Sequence, residues 1–122
     1  MKKHNSKYLL EIICVTYGHN FELKSFINSI KAQSCKDWFL RIIHDGNCDN
    51  YKKLKKDLEE NDYLASNISI ESTPRRFNDY GHSLRDYALK NPVVESEWTL
   101  ITNGDNFYLP TFVDCLDFHS CK

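Results

Sequence analysis

A chain of 122 residues, 41% hydrophobic and 13% aromatic, is long and apolar enough to close one core, which excludes an intrinsically disordered segment. Sixteen Lys and Arg against seventeen Asp and Glu give a formal net charge of -1, so no overall field draws the chain to nucleic acid or an anionic membrane, and an anionic ligand must be held locally. No apolar run approaches the roughly 20 residues of a membrane span, no signal-peptide core follows the lysines at the start, and the five cysteines lack C-x-x-C spacing; reduced thiols and a cytoplasmic setting are expected.

Tyr8 to Val15 reads as a buried strand, short, apolar and β-branched, that stops in the turn residues Gly18 and Asn20. Leu23, Phe26, Ile27 and Ile30 then follow helical spacing, with Asn20 as N-cap and an end near Gln33. Phe39 to Ile43 is the second strand, closed by His44-Asp45-Gly46-Asn47, and Tyr51 to about Glu60 the second helix, with Leu54 and Leu58 inward. Ile68 and Ile70 mark a third strand, shorter and nearer a sheet edge, which ends at Pro74. After a polar loop to Gly81, a helix carries Leu84, Tyr87 and Ala88 on one face and is ended by Asn91-Pro92. Trp98 to Thr102 is the fourth strand, and Pro110 opens a last helix with Phe112, Cys115, Leu116 and His119 on one face. This β-α alternation predicts an α/β fold, a parallel four-stranded sheet wrapped by helices with right-handed crossovers.

The ends of the strands hold the candidate chemistry, because ligands of open α/β sheets bind at the carboxyl ends. No G-x-G-x-x-G follows the first strand and no G-x-x-x-x-G-K-[ST] occurs, so neither a dinucleotide site nor a P-loop is supported. Instead the first strand runs into Thr16-Tyr17-Gly18-His19-Asn20, the second into Asp45-Gly46-Asn47 and the fourth into Asn103-Gly104-Asp105. Four segments resemble motifs of the family 2 glycosyltransferases, the GT-A fold enzymes that transfer a sugar from a nucleotide-sugar with inversion. Ile13 to Asn20 resembles an apolar strand followed by P-T-Y-N, Ser29 to Ser34 resembles S-[IL]-x-x-Q-[TS], Ile42 to Asn47 is similar to V-V-D-D-G-S, and Ile101 to Pro110 is similar to the strand ending in D-x-D. The resemblance covers almost the whole chain, in order, and implies the family's N-terminal, nucleotide-sugar-binding half, Rossmann-like, with the parallel strands in the order 3-2-1-4 and helices on both faces.

By that resemblance Thr16, Tyr17 and Gly18 border the base and ribose of the donor, and Asp45 accepts a hydrogen bond from a base imide N–H. A carboxylate only accepts, so uracil or thymine can pair with it and cytosine cannot, which favours a UDP- or dTDP-linked sugar. Asp-Gly also makes turns unaided, and that reading stays open. Asp105 resembles the last acid of D-x-D, which implies a Mn²⁺ or Mg²⁺ ion on the diphosphate; Asn103 replaces the first acid and keeps only a hydrogen bond to ribose. A plain strand-to-helix turn is the alternative there. Arg85, in Gly81-His82-Ser83-Leu84-Arg85-Asp86, loosely resembles a nucleotide-holding arginine, though a surface role is open too.

Arg75 and Arg76 read as a solvated pair in preference to a diphosphate clamp. His44 replaces the first acid of D-D-G-S, and no histidine spacing points to a metal ligand. The sequence stops soon after Asp105, so the acceptor half, with its carboxylate base, is expected to be missing from a single domain over residues 1–122. No residue is assigned as catalytic. A saccharide or other hydroxyl is the expected acceptor; the rival reading is a non-catalytic nucleotide-binding or interaction module left by loss of that half.

Overall fold

The computed structural model describes residues 7–17, 20–78 and 82–103. Their order is β1 (Lys7–Thr16), α1 (Asn20–Lys31), β2 (Trp38–His44), α2 (Asp49–Glu60), β3 (Ile68–Ser72), α3 (His82–Lys90) and β4 (Glu95–Asn103). The four strands form one sheet in the order β3-β2-β1-β4, every pair parallel, as the alternation of elements requires. The expected helix after Pro110, and the side chain of the expected N-cap Asn20, lie outside the described residues.

Each strand is a residue or more longer than its apolar run. The largest difference is β4, which starts at Glu95, before Trp98, because Lys7 and Tyr8 of β1 pair with Glu95 and Ser96. At a sheet edge, polar residues can join the ladder without being buried. β3 is the other edge, five residues long and mostly half-buried. No helix among the described residues is long and apolar enough to cross a membrane.

Alternation along the strands divides the core in two. Leu10, Ile12 and Cys14 of β1 and Trp38, Leu40 and Ile42 of β2 face α1 and α2, which bury Leu23, Phe26, Ile27, Ile30, Leu54 and Leu58 against them. Each such side chain contributes roughly 1.5–3 kcal/mol by leaving water. Ile13, Val15 and Ile43 face the other way, against Leu84 and Ala88 of α3, with Phe77 and Tyr87 packed at the margin. Asn91 ends α3 as expected, its N–H reaching the Ala88 carbonyl and its side-chain amide donating to the Tyr87 carbonyl.

The α3 face also buries charge. Arg41, 1% exposed in the fully buried β2, donates from Nε and Nη2 to the Glu71 carboxylate at 2.8 and 3.3 Å and from Nη1 to the Ala88 carbonyl at 3.1 Å. Glu11 of β1 is buried nearby, and its Oε2 has no partner among the described residues. Desolvation raises its pKa above the usual 4.5, with Glu71 adding to the rise and Arg41 opposing it.

A raised carboxyl pKa means that the folded chain holds this proton more tightly than the unfolded one. The stabilisation is full below pH 4.5 and is lost as pH rises through the folded value. Glu11→Gln, neutral at every pH, is therefore expected to melt higher than the parent at pH 7.5, with the difference closing as the pH approaches 4.5. Thermal melts of both proteins across that range check it; a variant that melts lower at pH 7.5 would show that the ionised form is favoured.

Candidate functional site

The register brings the carboxyl ends of three strands level. Thr16 pairs with His44, and Val15 pairs with Asn103, so β1, β2 and β4 end side by side. The Asp45 N–H donates to the Thr16 carbonyl at 3.0 Å and draws the first two turns together. The Thr16 hydroxyl is buried at this edge without a partner among the described residues. A hydroxyl left so is costly, about 1–3 kcal/mol, unless something brought to the site satisfies it.

Asp45 anchors the loop after β3. Its Oδ1 accepts the Phe77 N–H at 2.7 Å and its Oδ2 the Asn78 N–H at 2.9 Å. Gly46 has a φ of 99°, and a Cβ there would fall 3.0 Å from the Arg76 Cβ and 3.1 Å from its Cα and N. Only glycine allows both that left-handed backbone and that close approach. Thr73 completes the clamp: its N–H donates to the His44 carbonyl, its hydroxyl accepts the Gly46 N–H at 3.0 Å and donates to the Arg75 carbonyl at 2.8 Å. The turn reading of Asp45-Gly46 therefore holds in part, since the pair makes a turn and also holds residues 73–78 across it.

Tyr17 is built in from several sides. The Arg76 guanidinium lies 3.8 Å over its ring centroid, and Asn50 at the start of α2 donates to its hydroxyl at 3.1 Å. His44 lies 5.1 Å from Tyr17, and Tyr51 lies 5.6 Å from His44, ring to ring. His44 is fully buried, with Nδ1 3.0 Å from the Gly46 carbonyl. A carbonyl only accepts, so in the neutral ring Nδ1 carries the hydrogen. Burial lowers the His44 pKa below 6.5, outweighing the Gly46 carbonyl and Asp45, which raise it, so the ring is neutral at pH 7.

Arg75 and Arg76 are exposed, as their sequence suggests, and each also lies over an aromatic ring. Arg75 lies 4.8 Å over the Phe77 ring, and Arg76 stacks on Tyr17 with its Nε 3.7 Å from Asp45 Oδ2. Guanidinium planes stack on aromatic faces, and the aromatic partner of Arg76 is supplied by a turn far away in sequence. Thr16, Tyr17, Asp45 and the backbone of Asn103 thus meet at one edge, as expected from the sequence. Arg85 stands half-buried in α3, the helix that follows the clamped loop. Gly18, Asp105 and the Asn103 side chain lie outside the described residues. His44, Asn50, Tyr51 and Thr73 were not singled out as site residues; the signal for His44 was a polar side chain closing an apolar strand.

The same fold occurs in solved structures. The chain matches S. aureus TarS at a TM-score of 0.71 and 18% identity, over 92% of this chain and 19% of that one. It matches S. aureus TarS 1-349 in complex with UDP at 0.72 and 17%, over 92% and 32%, and the complex with UDP-GlcNAc at 0.67 and 17%, over 93% and 30%. The fold is the Rossmann-like half of a GT-A domain. The chain spans less than a third of the length of these TarS chains. No protein-family model and no curated protein matches the sequence.

Proposed function

We propose that the chain is the donor-binding half of a glycosyltransferase that holds a UDP- or dTDP-linked sugar at the edge formed by Thr16, Tyr17 and Asp45. The convergence of those three residues at the strand ends carries this reading. It is supported by the fold shared with TarS, a glycosyltransferase whose structures include UDP and UDP-GlcNAc complexes. Tyr17 offers a ring face for the base, Thr16 a hydroxyl with no partner among the described residues for the ribose or base, and Asp45 an acceptor for an imide N–H. A carboxylate has about four lone-pair positions, and the loop N–H groups take two, so a third donor can be accommodated.

Transfer would be inverting, to a saccharide or other hydroxyl acceptor, and a cytoplasmic setting goes with reduced thiols. Among the described residues no group of three His, Cys, Asp or Glu could hold a metal ion, and Asp105 lies outside them. A divalent Mn²⁺ or Mg²⁺ ion enters the proposal through the resemblance alone, to offset charge on the leaving diphosphate. Calorimetric titration of UDP, dTDP, CDP and GDP, each with and without Mn²⁺, tests the reading. UDP or dTDP is expected to bind at least about tenfold tighter than CDP, the worth of a hydrogen bond to a charged acceptor. Mn²⁺ should strengthen the diphosphates and leave uridine unaffected. Equal affinities for UDP and CDP would overturn the base assignment.

A further inference from the structure

We infer that Arg76 is an internal stand-in for the base, holding the positions on Tyr17 and Asp45 that a bound base would take and giving them up when a nucleotide binds. The inference rests on the donor reading above. Tyr17 and Asp45, the two residues that reading gives to the base, are both engaged by one side chain. The Arg76 guanidinium lies 3.8 Å over the Tyr17 ring while its Nε faces Asp45 Oδ2 at 3.7 Å. A uracil ring would make the same pair of interactions, a flat face on the tyrosine and an N–H toward the carboxylate. Arginine is the one side chain that imitates both, being planar, stackable and edged with donors.

What can move is confined to the side chain. The Arg76 backbone is packed against Gly46, its neighbours Phe77 and Asn78 are hydrogen-bonded to Asp45, and the Arg75 carbonyl accepts the Thr73 hydroxyl. The Arg76 side chain itself is 45% exposed, and its ion pair is longer than a hydrogen bond. Departure of the guanidinium therefore leaves the clamp in place and uncovers one face of Tyr17 and one flank of Asp45 together. Every base has to displace Arg76 first, so the cost is the same for uracil and cytosine. The selectivity between them stays with Asp45.

The test compares uridine and cytidine binding by the parent chain and by Arg76→Ala, with Arg76→Lys as a third protein. Nucleosides are used because they lack the phosphates to which an arginine could add direct attraction. Removing an exposed cation–π contact and a half-exposed ion pair is expected to tighten uridine binding about five- to tenfold in Arg76→Ala. Arg76→Lys, whose compact ammonium does not stack as a plane, should gain a smaller factor. The ratio of uridine to cytidine affinity should be unchanged. Unchanged or weaker uridine binding by Arg76→Ala, with uridine still preferred over cytidine, would overturn the stand-in and leave the donor reading intact. A gain in Arg76→Ala with uridine and cytidine bound equally would instead overturn the role of Asp45 in base selection. No uridine binding by any of the three proteins would overturn both.

Discussion

Arg41→Leu is expected to destabilise the chain by about 3–5 kcal/mol, a large part of the roughly 5–15 kcal/mol that holds a domain of this size folded. Arg41 is 1% exposed in the middle of β2, and its guanidinium serves the Glu71 carboxylate and the Ala88 carbonyl at once. Removing it takes from Glu71 its ion-pair partner, strips the end of α3 of a donor, and leaves Glu11 without the one charge that holds its pKa down. Most of the cost comes from stranded charge and not from the ion pair as such. Adding Glu11→Gln and Glu71→Gln to Arg41→Leu should therefore recover most of the loss. Urea denaturation of parent, single and triple variants reads this directly, and a loss below about 1 kcal/mol in the single variant would mean that the cluster is effectively solvated.

Asp45→Ala is expected to lose stability and nucleotide affinity together. The folded chain would keep two backbone N–H groups, those of Phe77 and Asn78, with their charged acceptor gone. At about 1–3 kcal/mol for each unsatisfied donor, less where water reaches in, the total is about 2–4 kcal/mol. Amide exchange should localise it, with Phe77 and Asn78 losing protection while the β1 and β2 amides keep theirs. UDP affinity should fall by tenfold or more, from loss of the imide acceptor. Unchanged protection at Phe77 and Asn78 would show that the clamp does not depend on the carboxylate; unchanged UDP affinity would remove Asp45 from base recognition.

The two variants bear on different faces of one sheet. Arg41 belongs to the α3 side, where the core is small and charge fills part of it. Asp45 belongs to the carboxyl edge, where the ends of three strands and the loop after β3 meet. A loss of nucleotide binding in Arg41→Leu with no loss of stability would therefore be unexpected, since no contact joins Arg41 to Tyr17 or Asp45 among those described.

The run Ile12 to Val15 and the helical spacing of Leu23, Phe26, Ile27 and Ile30 were enough to place β1 and α1, because local burial imposes a period of two on strands and 3.6 on helices. The strict β-α alternation called for a parallel sheet with helices packed on it, and the resemblance of the strand-end motifs supplied the order 3-2-1-4 that is found. The sequence alone also placed Thr16, Tyr17 and Asp45 near one another, since polar residues that end apolar strands collect at one edge of a parallel sheet. It could not show that Asp45 holds the Phe77 and Asn78 amides, or that Arg76 lies on Tyr17. Asp45 meets Phe77 across 32 positions and Arg41 meets Glu71 across 30, separations at which no periodicity operates. Such contacts depend on which strands become neighbours and on how a loop is pinned above them, and an arginine between Pro74 and Phe77 looks solvated until the fold sets an aromatic ring and a carboxylate beside it.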